Sequence, residues 1–197
     1  MKLSRLIIAN LILILLINTT PMYQLITMAS SEVKQISGSP QIIDYSERLT
    51  FDYQMNLLTP SYIKEETLAK AFQNTKMQGL EKYFIQAEKE TGINALYLAG
   101  LAVHESGWNT SKFAEKRNNL FGWQAYDSDL DKTKYFESKG ECILFVAERI
   151  KTLYLNENGM FHSGYTMESI SSRYASDKEH SKKVYKNIEK ILDKINQ

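Results

Sequence analysis

Glu105 stands at the end of an apolar stretch, Ala95 to Val103, that offers almost no polar residue before His104. A carboxylic acid placed where a buried helix meets an apolar wall has its charged form disfavoured by desolvation, which moves it toward the range of a general acid. Trp108 follows three residues later, and Asn118-Asn119 precede Leu120-Phe121-Gly122-Trp123, with Tyr126 beyond. Aromatic planes beside amide donors suit a sugar ring, whose faces are apolar and whose edges carry hydroxyls. His104-Glu105 also opens the zinc motif H-E-x-x-H, but Trp108 occupies the position of the second imidazole. Spacing therefore gives no metal site, and no cofactor is called for. His162 and His180 fall in polar segments and are expected to be solvated.

These residues need a scaffold, and the periodicity supplies a mainly helical one. Asn94 is placed to cap the central helix, and Gly92 to end a preceding helix over 80–90, itself preceded by one over 64–75. Ser106-Gly107 breaks the central helix, and Asn109-Thr110-Ser111 supplies caps for another beginning near Lys112. Residues 125–131 are polar and turn-prone, and Thr133-Lys134-Tyr135-Phe136 has the composition of a short strand in a small lobe over a cleft. Helical spacing returns over 139–155, 167–174 and 180–195. Residues 30–60 read as a spacer, with an extended segment over 49–58.

At the amino terminus, Lys2 and Arg5 precede residues 6–17, apolar apart from Asn10, the pattern of an export signal. A cleaved signal and an uncleaved anchor, with membrane contact through residues 6–28, are both compatible with residues 1–29, and either takes the remainder out of the cytoplasm. The whole chain carries 24 basic and 23 acidic residues, and without Lys2 and Arg5 the balance is 22 to 23. That balance excludes the strong positive field of a general nucleic-acid binder. The lone Cys142 allows no internal disulfide and sits in an apolar helical stretch, as an inert buried thiol would.

The runs HESGWNTS and NNLFGWQAYDSD, followed by Tyr174-Ala175-Ser176-Asp177, resemble the motifs of glycoside hydrolase family 73, bacterial endo-β-N-acetylglucosaminidases acting on peptidoglycan. The similarity runs from about Ser61 to Ile195, and departs from the family pattern at Asn109, where members usually carry Gly. The resemblance implies a lysozyme-like helical domain over 61–197 with a small β-containing lobe beside the cleft. It implies cleavage of the β-1,4 bond between N-acetylglucosamine and N-acetylmuramic acid in glycan strands, with Glu105 as the acid. The second carboxylate is open among Asp127, Asp129, Asp131 and Glu137, with Asp127 favoured because it directly follows the aromatic residues. If the substrate's own acetamido group is the nucleophile, Tyr174 matters more. Asn119 would hold the loop or the substrate, and Phe121, Trp123 and Tyr126 would form sugar subsites. A lytic transglycosylase and a silent cell-wall-binding module are the alternatives. The lobe looks short beside many relatives, which raises the expectation of a membrane protein partner that completes the cleft.

Overall fold

A computed structural model describes residues 48–124 and 133–197, and among them the regular structure is helical. The helices are α1 (Glu65–Phe72), α2 (Glu81–Thr91), α3 (Ala95–Ser106), α4 (Lys112–Arg117), α5 (Lys139–Ile150), α6 (Met167–Tyr174) and α7 (His180–Ile195). A π-helical turn, Lys151–Leu155, continues α5.

α3 is the centre, because a helix apolar all round has no face to give to water. Every residue from Ala95 to Val103 is buried. Its first N–H groups cannot use solvent and must find partners inside the protein. The Asn94 side chain accepts from Leu96 N at 3.0 Å and Tyr97 N at 3.2 Å. Glu88, on α2, accepts from Ala95 N at 2.7 Å and also from Ser61 N, Ser61 Oγ and Tyr62 N. One buried carboxylate thus ties the chain before α1 to the start of α3.

α7 lies along α3 and α1, and α2 packs on α5 and α3. The face α7 buries is Val184, Ile188, Ile191, Leu192 and Ile195, an apolar stripe at helical spacing. The closest approach to α3 is at Gly100, where an added Cβ would overlap Ile188 Cγ1. Glycine is needed there for space.

Within the stretch expected as spacer, the chain from Arg48 onward forms turns, not an extended segment. Phe51 and Leu57 are buried, and Leu57 is bonded through its N–H to Tyr165 O and through its carbonyl to Asn94 N, both at 2.9 Å. The strand expected at Thr133 to Phe136 is absent, and no strand occurs among the described residues. Phe136 is instead pinned singly, its N–H donating to Arg117 O and its carbonyl accepting from Asn118 Nδ2. With those groups taken by the end of α4, no ladder forms. Asp127, Asp129, Asp131 and Tyr126 lie outside the described residues, as do the apolar segment 6–17 and the rest of 1–47. No described helix is long and apolar enough to cross a membrane. Cys142 is fully buried, and burial pushes its thiol up to about 12.

Two substitutions test this account by urea denaturation. Gly100→Val should lower stability by about 2 kcal/mol through overpacking on Ile188, and Glu88→Ala by about 3 kcal/mol through the donors it strands.

Candidate active site

The last turn of α3 opens onto a cavity of about 510 Å³. Three consecutive residues in left-handed conformation, Gly107, Trp108 and Asn109, turn the chain away there and leave Glu105 at the cavity edge. The bend is held by Ser106, whose buried Oγ donates to Ala102 O at 2.6 Å and accepts from Asn109 N at 2.8 Å. Asn tolerates the left-handed region better than most residues with a side chain, which accounts for the departure from Gly at this position.

Glu105 is about a quarter exposed, and its Oε1 lies 3.0 Å from Nε2 of His180, the first residue of α7. The other ring nitrogen of His180 lies 2.9 Å from Ser171 Oγ. With a neutral imidazole the chain of contacts has two consistent proton arrangements. With Glu105 ionised, Nε2–H donates to it and Ser171 donates to Nδ1; with Glu105 protonated, the carboxyl donates to Nε2 and Nδ1–H donates to Ser171. In either state the carboxyl is held in one orientation. His104 stands edge-on to His180 at 5.0 Å between ring centroids. Burial holds its imidazole below the usual histidine range, against the opposing pull of Glu105.

Aromatic rings line both sides of the opening. Tyr174 is stacked obliquely on His180 and on Tyr154, which in turn meets Phe161. Burial, reinforced by Glu105, raises the Tyr174 phenol well above its ordinary range, so it stays a neutral donor. The fully buried Tyr97 on α3 is raised for the same two reasons. Leu153 and Tyr154 both reach the cavity from the π-helical turn. On the other side Trp123 packs edge-on against Phe145 at 6.0 Å, and Lys134 Nζ sits 4.8 Å from the centre of that phenyl ring.

Of the residues singled out in the sequence, Glu105, Phe121, Trp123 and Tyr174 are brought together around the cavity. Phe121 is only 3% exposed, so it offers an edge and serves mainly as packing. Asn119 is fully buried. Its Nδ2 donates to Trp123 O and Lys134 O and its Oδ1 accepts from Trp123 N, so the amide holds the loop. His180 is buried, contrary to the solvated position expected of it, because Glu105 and Ser171 satisfy both ring nitrogens. His162 is likewise engaged, its Nδ1–H donating to Tyr154 O at 2.8 Å. Ligand-capable atoms of His104, Glu105 and His180 all lie within 4.8 Å of one another. Local spacing missed this cluster because its second imidazole comes from a helix 75 residues further on.

A carboxyl aimed into a cavity between aromatic faces, beside a neutral phenol, is equipped to deliver a proton to a bound carbohydrate oxygen. Residues 81–193 match the family model described as mannosyl-glycoprotein endo-beta-N-acetylglucosaminidase, the glucosaminidase family. Two Streptococcus pneumoniae proteins, from strains TIGR4 and R6 and named as candidate endo-beta-N-acetylglucosaminidases, are each 32% identical over 123 residues, 62% of this chain. The chain spans 18% and 17% of their lengths, less than a fifth of either. Among solved structures, a catalytic mutant of S. aureus autolysin E in complex with the disaccharide NAG-NAM superposes with a TM-score of 0.59 at 21% identity, covering 75% of both chains. The same enzyme in complex with the muropeptide NAM-L-Ala-D-iGlu gives the same values. The fold is thus that of autolysin E, and with more than half its length matched by the family model, the chain belongs to the glucosaminidase family, glycoside hydrolase family 73.

Proposed function

We propose that this chain is a peptidoglycan hydrolase, an endo-β-N-acetylglucosaminidase that cleaves the β-1,4 bond between N-acetylglucosamine and N-acetylmuramic acid outside the cytoplasm. The observation that carries the reading is the setting of Glu105, a partly exposed carboxyl fixed by His180 at the edge of an aromatic-lined cavity. Glu105 acts as the general acid, protonating the oxygen of the leaving sugar as the glycosidic bond breaks. His180 positions that acid directly and is itself held by Ser171. Tyr174, neutral and directed at the same cavity, orients the substrate's acetamido group or supports the developing charge. Trp123 and Tyr126 provide planes for sugar rings, Phe121 an edge, and Asn119 holds the loop that presents them. Asp127 is the proposed second carboxylate. Residues 6–28 supply the membrane contact, as anchor or signal.

Mass spectrometry of fragments released from purified peptidoglycan by the full chain tests this. Wild type should leave reducing N-acetylglucosamine ends. Glu105→Gln should lower the rate about 10³-fold, the range for removing a general acid, and Tyr174→Phe about 10²-fold, the range for removing a single oriented donor. Anhydro-muramyl ends would move the chain to the lytic transglycosylases, and binding without release would make it a wall-binding module.

A further inference from the structure

The cluster at the end of α3 has the donors of a metal centre as well as those of an acid. We infer that His104, Glu105 and His180 form a site for a borderline divalent transition ion, Zn²⁺ by its chemistry, and that filling it switches the hydrolase off by taking Glu105 as a ligand. The inhibitory half rests on the function proposed above; the binding half does not.

Three observations carry it. The donor set is two imidazoles and one carboxylate, which suits zinc and not the hard, oxygen-seeking Mg²⁺ or Ca²⁺. Three protein ligands leave a fourth tetrahedral position for water or a substrate oxygen, and Glu105 and His180 both line the open cavity from which an ion would arrive. Second, the Glu105–His180 contact is already close to ligand geometry. Two ligands bound to one tetrahedral zinc at ordinary bond lengths stand about 3.4 Å apart, against 3.0 Å here with a proton between them. The ion replaces that proton. Third, the far nitrogen of His180 is fixed by Ser171 Oγ at 2.9 Å, the kind of outer contact that orients a ligating imidazole.

His104 completes the set from the residue beside Glu105. The three ligand atoms lie within 4.8 Å of one another, and the widest gap must close by up to roughly 1.4 Å for all to share one zinc. The half-buried His104 ring, on the last turn of α3, is less enclosed than His180 and is the member that must move. The site is therefore recruited by the ion instead of standing preformed. The nearby cation Lys183 is paired with Asp177 at 2.6 Å, which reduces its repulsion of an incoming ion.

The test is calorimetric titration of ZnCl₂ into the chelator-treated full chain, with MgCl₂ as control, beside fragment release with and without ZnCl₂. One equivalent of zinc should bind, magnesium should not, and EDTA should reverse the loss of activity. Co²⁺ in place of zinc should give the visible bands of a four-coordinate ion. His104→Gln and His180→Ala should each weaken zinc binding at least about tenfold, and Ser171→Ala by a similar factor through the outer contact. Because His180 is buried and its replacement could unfold the chain, the half-buried His104→Gln is the deciding variant, with circular dichroism as its folding control. Absence of zinc binding, or binding unchanged in folded His104→Gln, overturns the proposal. Zinc-insensitive cleavage overturns the switch and leaves the hydrolase standing, whereas zinc binding that needs His104 in a chain that releases no fragments keeps the site and removes the hydrolase.

Discussion

The close crossing of α3 and α7 at Gly100 and Ile188 is the constraint on which the rest of the molecule depends. From that contact the helices run antiparallel: going from Gly100 to Glu105 on α3 corresponds to going back from Ile188 to His180 on α7. A larger residue at the crossing would separate the helices, and the first group to lose its partner would be the Glu105 carboxyl. A void or overlap in the core is felt because interiors are packed like crystals. The geometry around the acid is therefore set by an apolar contact more than a turn away from it.

Burying α3 from Ala95 to Val103 creates a second requirement, since the backbone groups at both of its ends must be closed by protein groups. The start is closed by Asn94 and the Glu88 carboxylate, both buried. The other end is closed by a left-handed bend with Ser106 at its centre. That bend gives the helix a terminus beside solvent without leaving its backbone unsatisfied, and it is why an acid on an otherwise enclosed helix can meet a ligand. Polar contacts then divide the labour: Glu105 and His180 are hydrogen-bonded to one another, while Tyr174 is kept neutral by burial and by the carboxylate beside it.

Much of this is legible in the residues. Asn94, Gly92 and Ser111 mark their helix boundaries because capping is a local interaction, encoded within a few positions. The stripe on α7 and the apolar helix α3 declare themselves by period. Glu105, Trp123 and Tyr174 were found from motif and residue chemistry, and the fold gathers them around one cavity. What escaped depends on distant pairing. His180 lies in a sequence as polar as any surface helix start, and only the packing of α7 on α3 removes it from water. Phe136 sits among strand-forming residues, but a strand needs a neighbour, and the end of α4 claims its backbone first. Asn119 could have faced a ligand as easily as a loop until its three partners were seen.

The π-helical turn after α5 carries a consequence for how such a cleft diversifies. A π turn holds one residue more than an α turn over nearly the same rise, and such turns recur at functional sites. Here neighbours Leu153 and Tyr154 of the turn both border the cavity. Removing a single codon within 151–155 would relax the turn to α geometry without displacing the chain on either side of it, exchanging which side chains of the turn border the cavity. Insertion and deletion, more than point replacement, are the steps by which this wall would change its pattern over evolutionary time.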